Sequence, residues 1–134
     1  MVAINIELPH APISWGELID KVTILELKAQ NLVGANALVN VENELRIIKV
    51  FSDSVIKRIP ELEHKKNALF EINQQLWQIE DAIRQKESER DFGLDFVELA
   101  RMVYKTNDRR ANIKREINQL TGSAFFEEKS YTRY

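Results

Sequence analysis

Cysteine is absent from this 134-residue sequence, which excludes structural disulfides and thiolate metal sites. Histidine is scarce, and His10 and His64 stand in no nucleophile, base or metal-binding pattern. Only four glycines are present, and none forms a phosphate-cradling loop. No apolar run approaches the roughly 20 residues needed to span a bilayer. The formal net charge of −2 lacks the basic excess of a dedicated nucleic-acid binder. The local clusters Lys57–Lys66 and Lys105–Arg115 read as solvated helix faces. The opening Met-Val-Ala-Ile-Asn-Ile-Glu-Leu has no basic segment followed by an apolar core. A signal peptide is therefore not expected, and the cytoplasm is the expected location. The pattern assigns no cofactor and no metal ligand set.

What is present is helical periodicity. In Glu61–Arg90 the residues Leu69, Ile72, Leu76, Ile79 and Ile83 follow three- and four-residue steps, with Leu62 on the same seam two turns earlier. At about 1.5 Å per residue this helix would run roughly 45 Å and serve as the spine of a bundle. Beside its seam lies a mixed stripe of Phe70, Asn73, Trp77, Glu80 and Arg84. Ser14 and Glu17 form a capping box ahead of a first helix at 14–33. That helix is apolar on two sides: Trp15, Leu18, Val22 and Leu25 on one, Ile24 and Leu27 on the other. A second helix is predicted at 36–59 and a fourth at 95–121, with Asp95 as its cap. Gly34, Pro60, Asp91-Phe92-Gly93 and Gly122 punctuate the series.

The ends differ. Ile4, Ile6 and Leu8 alternate with polar or small residues, so residues 1–13 read as an extended arm or a single strand held straight by Pro9 and Pro12. The segment 122–134 has no period, yet Phe125, Phe126 and Tyr131 suit a tail docked on the bundle or on a second subunit. The expected fold is thus all-α, a single helical domain over 1–134 built as a four-helix bundle with long antiparallel helices.

The short loop before the fourth helix brings Trp77–Arg84 level with about Arg101–Asp108. Thr106 and Arg110 interrupt the fourth helix's seam, and Tyr104 and Asn107 flank it. A partly buried Arg110 needs a carboxylate, for which Glu80, Asp81 and Asp108 are the candidates. This layer either fixes helix register, as polar seam residues do in coiled coils, or clamps a phosphate with Arg84 or Arg110. A second motif, Gly16, Glu17, Asp20 and Lys21, opens the first helix. Lys21 lies four residues after Glu17 as an ion-pair partner. Carboxylates borne on several helices can also hold a divalent metal, so Glu17, Asp20, Glu80, Asp81 and Asp108 outline a possible metal-dependent phosphohydrolase or nucleotide-processing enzyme.

Three stretches together carry a resemblance: GELIDKVTILELK at Gly16–Lys28, LWQIEDAIR at Leu76–Arg84 and VYKTNDRRANIK at Val103–Lys114. With Gly122-Ser123 and EEKSY at Glu127–Tyr131, the chain resembles a family of uncharacterised small all-helical bacterial and phage proteins. Some of these are met beside glycosyltransferase and surface-polysaccharide genes. The resemblance picks out Gly16, Glu17, Asp20, Lys21, Trp77, Glu80, Asp81, Arg84, Tyr104, Asn107, Asp108 and Arg109. It implies a helical protein without an assigned activity, in carbohydrate or envelope company.

Two functions of different class follow. The leading one is a helical binding or assembly protein, accessory to surface-polysaccharide or sugar-phosphate metabolism. The alternative is the metal-dependent enzyme, which requires at least three of its carboxylates to converge. The first helix's two apolar sides and the off-seam Ile47, Val50 and Phe51 predict a homodimer through faces that include Ile24, Leu27, Ile47, Val50 and Phe51. Neither membrane nor nucleic acid is an expected partner.

Overall fold

A computed structural model describes residues 2–134. It contains four helices: α1 (Trp15–Asn31), α2 (Ala35–Arg58), α3 (Leu62–Ser88) and α4 (Leu94–Thr121). Together they form an all-α bundle, and among the described residues there is no strand. Residues 2–13 are exposed and belong to no helix, without the ladder that a strand would need.

Local chemistry sets the helix ends. Ser14 Oγ accepts from the Glu17 amide at 3.1 Å and starts α1. Gly34, at φ +111°, supplies the left-handed turn before α2. Ile59, Pro60 and Glu61 make the tight turn into α3. The cap of α4 is Gly93 rather than Asp95. Asp91 Oδ1 accepts from the Gly93 amide at 3.2 Å, so the preceding loop builds the start that Asp95 was expected to provide.

The organising helix is α1, not the longer α3. Both pack on each of the other three helices, but α3 meets α2 only slightly, whereas α1 packs extensively on all three. Its buried set, Ile19, Asp20, Val22, Thr23, Leu25 and Leu27 with Gly16, wraps most of its circumference. A short helix enclosed over more than half of its circumference explains why its apolar residues do not keep to one seam. Leu27, expected at a dimer face, is only 2% exposed, and it belongs to the protomer's own interior. Ile24 is half-buried. Of the residues expected at that face, Ile47, Val50 and Phe51 on α2 are more than half exposed.

Ile19, Val55, Leu62, Leu69 and Ile117 make the apolar core at the end where α1 and α3 begin and α2 and α4 end. Each such fully buried side chain contributes about 1.5–3 kcal/mol. Moving along α1, this core gives way to polar side chains around Asp20. Beyond the end of α1, α3 and α4 continue as a two-helix hairpin closed by the 89–93 loop. The site described next lies at that transition.

Candidate functional site

Asp20 is the centre of the polar layer, although it is 1% exposed. Its Oδ1 accepts from Asn73 Nδ2 at 2.8 Å and from Arg110 Nε at 3.1 Å. Its Oδ2 accepts from Arg110 Nε at 3.1 Å and from Arg110 Nη2 at 2.5 Å. Three helices thereby meet at one carboxylate. Asn73 uses the same amide nitrogen to donate to Thr23 Oγ1 at 2.8 Å, and Thr23 donates to the Asp20 carbonyl at 2.7 Å. The layer is fully satisfied: no buried side-chain nitrogen or oxygen among the described residues lacks a partner. A buried charge survives only under that condition.

The partner of Arg110 is therefore Asp20, across α1 and α4, and not Glu80, Asp81 or Asp108. Burial works against the Arg110 charge, but the hydrogen bonds and charge of Asp20 outweigh it, with Glu17 and Glu127 adding to the effect. Its pKa is held above the ordinary guanidinium value. The remaining nitrogen, Nη1, lies 3.4 Å from Asn107 Oδ1.

A second junction sits one turn away. Gly16 N–H donates to Asn118 Oδ1 at 2.8 Å. A Cβ at Gly16 would lie 2.5 Å from the Lys114 carbonyl oxygen, so only glycine allows α1 this approach to α4. Lys114 is 7% exposed. Its Nζ reaches Glu17 at 2.8 Å, Glu127 at 3.0 Å and Asp20 at 3.9 Å. Burial opposes the ammonium, yet hydrogen bonds to Glu17 and Glu127 and the charge of Asp20 raise its pKa. The Lys114 hydrogen bond in turn lowers the pKa of Glu127, against a smaller opposing effect of burial. Glu17 thus serves α4 rather than reaching back to the Ser14 amide, and Lys21 pairs with Glu44 of α2 at 3.1 Å instead of with Glu17.

Two concave surfaces flank this framework. A groove of about 490 Å³ runs between α1, α3 and α4. Trp77, Glu80, Asp81, Arg84, Asn107 and Arg110 line it, and Ile24, Leu27, Leu76, Lys28 and Asn73 complete it. Arg84 stands 3.6 Å from Glu80, and Lys28 makes no ion pair among the described residues. The other predicted site residues, Tyr104 and Asp108, face away from the groove. With Lys114, Arg115 and the tail they line a cleft of about 950 Å³. The tail is pinned there by Glu127 on Lys114, Glu128 on Arg115 at 3.4 Å, and Tyr134, whose hydroxyl donates to Asp108. The Tyr134 ring meets that of Tyr104 edge-on at 5.1 Å, and the Arg115 guanidinium lies 5.3 Å from the Phe126 ring centre. Arg109, on a third side of α4, donates to Gln75 at 3.0 Å.

The polar layer expected at one level is thus split between two sides of α4. The sequence reading passed over Thr23, Lys28, Lys114 and Asn118. Gly16 was the available signal for Asn118, since a glycine in a first helical turn marks a close backbone approach. Among the described residues no three His, Asp or Glu side chains gather as a metal site. Glu17 and Asp20 are each engaged by a cation, and Asp108 accepts the Tyr134 hydroxyl. Among the described residues no helix is long and apolar enough to cross a membrane.

The model of a family described as "Family of unknown function (DUF6165)" matches residues 10–134, and the chain belongs to that family. No curated protein and no solved structure matches the chain.

Proposed function

We propose that this family member is a cytoplasmic, non-catalytic helical binding and assembly protein whose α1–α3–α4 groove takes a phosphorylated sugar, as an accessory to surface-polysaccharide or sugar-phosphate metabolism. The observation that carries this reading is the fixed guanidinium of Arg110. Asp20 holds two of its nitrogens, while Nη1 stays beside Asn107 in a groove that also contains Trp77. A guanidinium locked by a buried carboxylate loses little freedom when it meets a ligand.

The rest of the lining suits the same class. The indole of Trp77 and the aliphatic wall of Ile24 and Leu76 offer an apolar face for a sugar ring. Asn107, Glu80 and Asp81 can pair with hydroxyls, and Lys28 and Arg84 at the rim supply positive charge for a phosphate. Less supports the metal-dependent reading: among the described residues its carboxylates do not gather as a metal site, and Glu17, Asp20 and Glu80 each face a cation. A thermal-shift screen with sugar phosphates, sugar nucleotides, unphosphorylated sugars and divalent metals tests the proposal. Phosphorylated sugars are expected to raise the melting temperature, and a shift produced by the metals alone would favour the enzyme instead.

Assembly is the second part of the proposal. The exposed Ile47, Val50 and Phe51 support a homodimer through α2. Light scattering that finds a monomer at tens of micromolar, roughly the range a modest interface needs, would contradict it.

A further inference from the structure

We infer that the partner is seated in one orientation: α2 of a second copy lies antiparallel on α2, about a two-fold axis passing between Ile47 and Val50. This rests on the homodimer reading above and adds the geometry of the interface.

The outer face of α2 carries Asn36, Asn40, Asn43, Ile47, Val50 and Ser54, all exposed. Their spacing is four, three, four, three, four, the heptad seam of a helix pair. None of the six is charged, although α2 carries seven charged residues in all. The apolar pair Ile47 and Val50 sits at the middle of the seam, with Phe51 beside it, 54% exposed. The bundle leaves this face open, because α2 packs chiefly on α1 and little on α3. A helix of 24 residues offers a seam about 36 Å long.

Two features point to a second copy as the occupant, and the second of them sets its direction. Reversing the helix about the proposed axis sets Ile47 against Val50 of the second copy and Asn43 against Ser54. Apolar groups then meet at the centre, and an amide meets a hydroxyl to either side. The same rotation acts on the charges at the edge. Arg46 and Asp53 lie along one edge of the seam, seven residues or about 10.5 Å apart. Neither makes an ion pair within the chain among the described residues. The rotation brings Arg46 within reach of Asp53 of the second copy and, by symmetry, Asp53 within reach of Arg46. An edge that carries one charge of each sign on opposite sides of the axis is self-complementary under that operation. In a parallel pair Asp53 would still meet an opposite charge, Arg58, but Arg46 would face Phe51 and stay unpaired, so only the antiparallel seam uses both charges of this edge.

Sedimentation equilibrium on the full chain across the micromolar range tests this. The unaltered chain is expected to dimerise. Arg46→Asp and Asp53→Arg, both at exposed positions, are each expected to weaken dimerisation about tenfold by placing like charges together twice. An equimolar mixture of the two variants should recover the lost affinity as a heterodimer, since each then supplies the sign the other lacks. Circular dichroism of both variants checks that the helices are intact. A chain that stays monomeric throughout overturns this inference and the homodimer reading together. A dimer that ignores either charge reversal, or a mixture that fails to recover, overturns the antiparallel seam and leaves the homodimer reading standing.

Discussion

Removing the Asp20 carboxylate should be the most damaging single change in the polar layer. In Asp20→Ala the Arg110 guanidinium loses both carboxylate oxygens that hold it, and Asn73 loses one of two acceptors. Breaking a buried ion pair by deleting one side costs about 3–5 kcal/mol. Two features place Asp20→Ala at the lower end. The Arg110 side chain is 26% exposed and can recover water through the groove, and Lys114 keeps Glu17 and Glu127. A loss of about 3 kcal/mol follows, or roughly 10 °C in melting temperature for a chain of this size. Asp20→Asn keeps the shape and one acceptor, and it should cost about half as much. The decisive assay is a double-mutant cycle by urea denaturation. Once Asp20 is alanine, Arg110→Ala should cost little or even stabilise, giving a coupling of about 2 kcal/mol. Additive single effects, or an Asp20→Ala loss below about 1 kcal/mol, would refute the buried layer as described.

Other consequences follow from the same geometry. Gly16→Ala should destabilise by about 2–4 kcal/mol despite the higher helix propensity of alanine, because the methyl meets the Lys114 carbonyl and breaks the Gly16–Asn118 bond; chemical denaturation measures it. Docking of the tail should be acid-sensitive. The Glu127 pKa is lowered by Lys114, so its contribution is present above the carboxylate's unfolded value of about 4.3 and is lost as pH falls through the lowered folded value. Hydrogen exchange of residues 125–134 should therefore accelerate on acidification before the helices melt, and protection that holds until global unfolding would contradict it. The complementary loss at high pH, as Lys114 deprotonates above its raised value, should free the tail again.

The helix series was legible because glycine and proline at Gly34, Pro60, Gly93 and Gly122 break each periodic run, and those breaks are local chemistry. The need to satisfy Arg110 was legible too, since a cation in an apolar seam requires a partner. The identity of that partner was not. Asp20 lies 90 residues away in sequence, and periodicity treats one helix at a time. The i,i+4 pair expected of Glu17 and Lys21 shows how local rules yield to packing. Close approach at Gly16 turns Glu17 toward Lys114, while Lys21 faces α2. The burial of Lys114 left no trace in the sequence, because a lysine among polar neighbours reads as solvated until three carboxylates from elsewhere surround it. The central place of α1 was likewise obscured by length, since α3 is longer but less enclosed.

The most direct test of the account is titration of the full chain with a phosphorylated sugar, followed by Trp77 indole fluorescence and amide shifts. Saturable changes at Trp77, Asn107 and Arg110 are predicted, with those at Asn107 and Arg110 lost in Trp77→Ala while its circular dichroism shows the helices intact. Changes confined to the cleft under the tail, or no saturable change in the groove with any phosphorylated sugar, would contradict it.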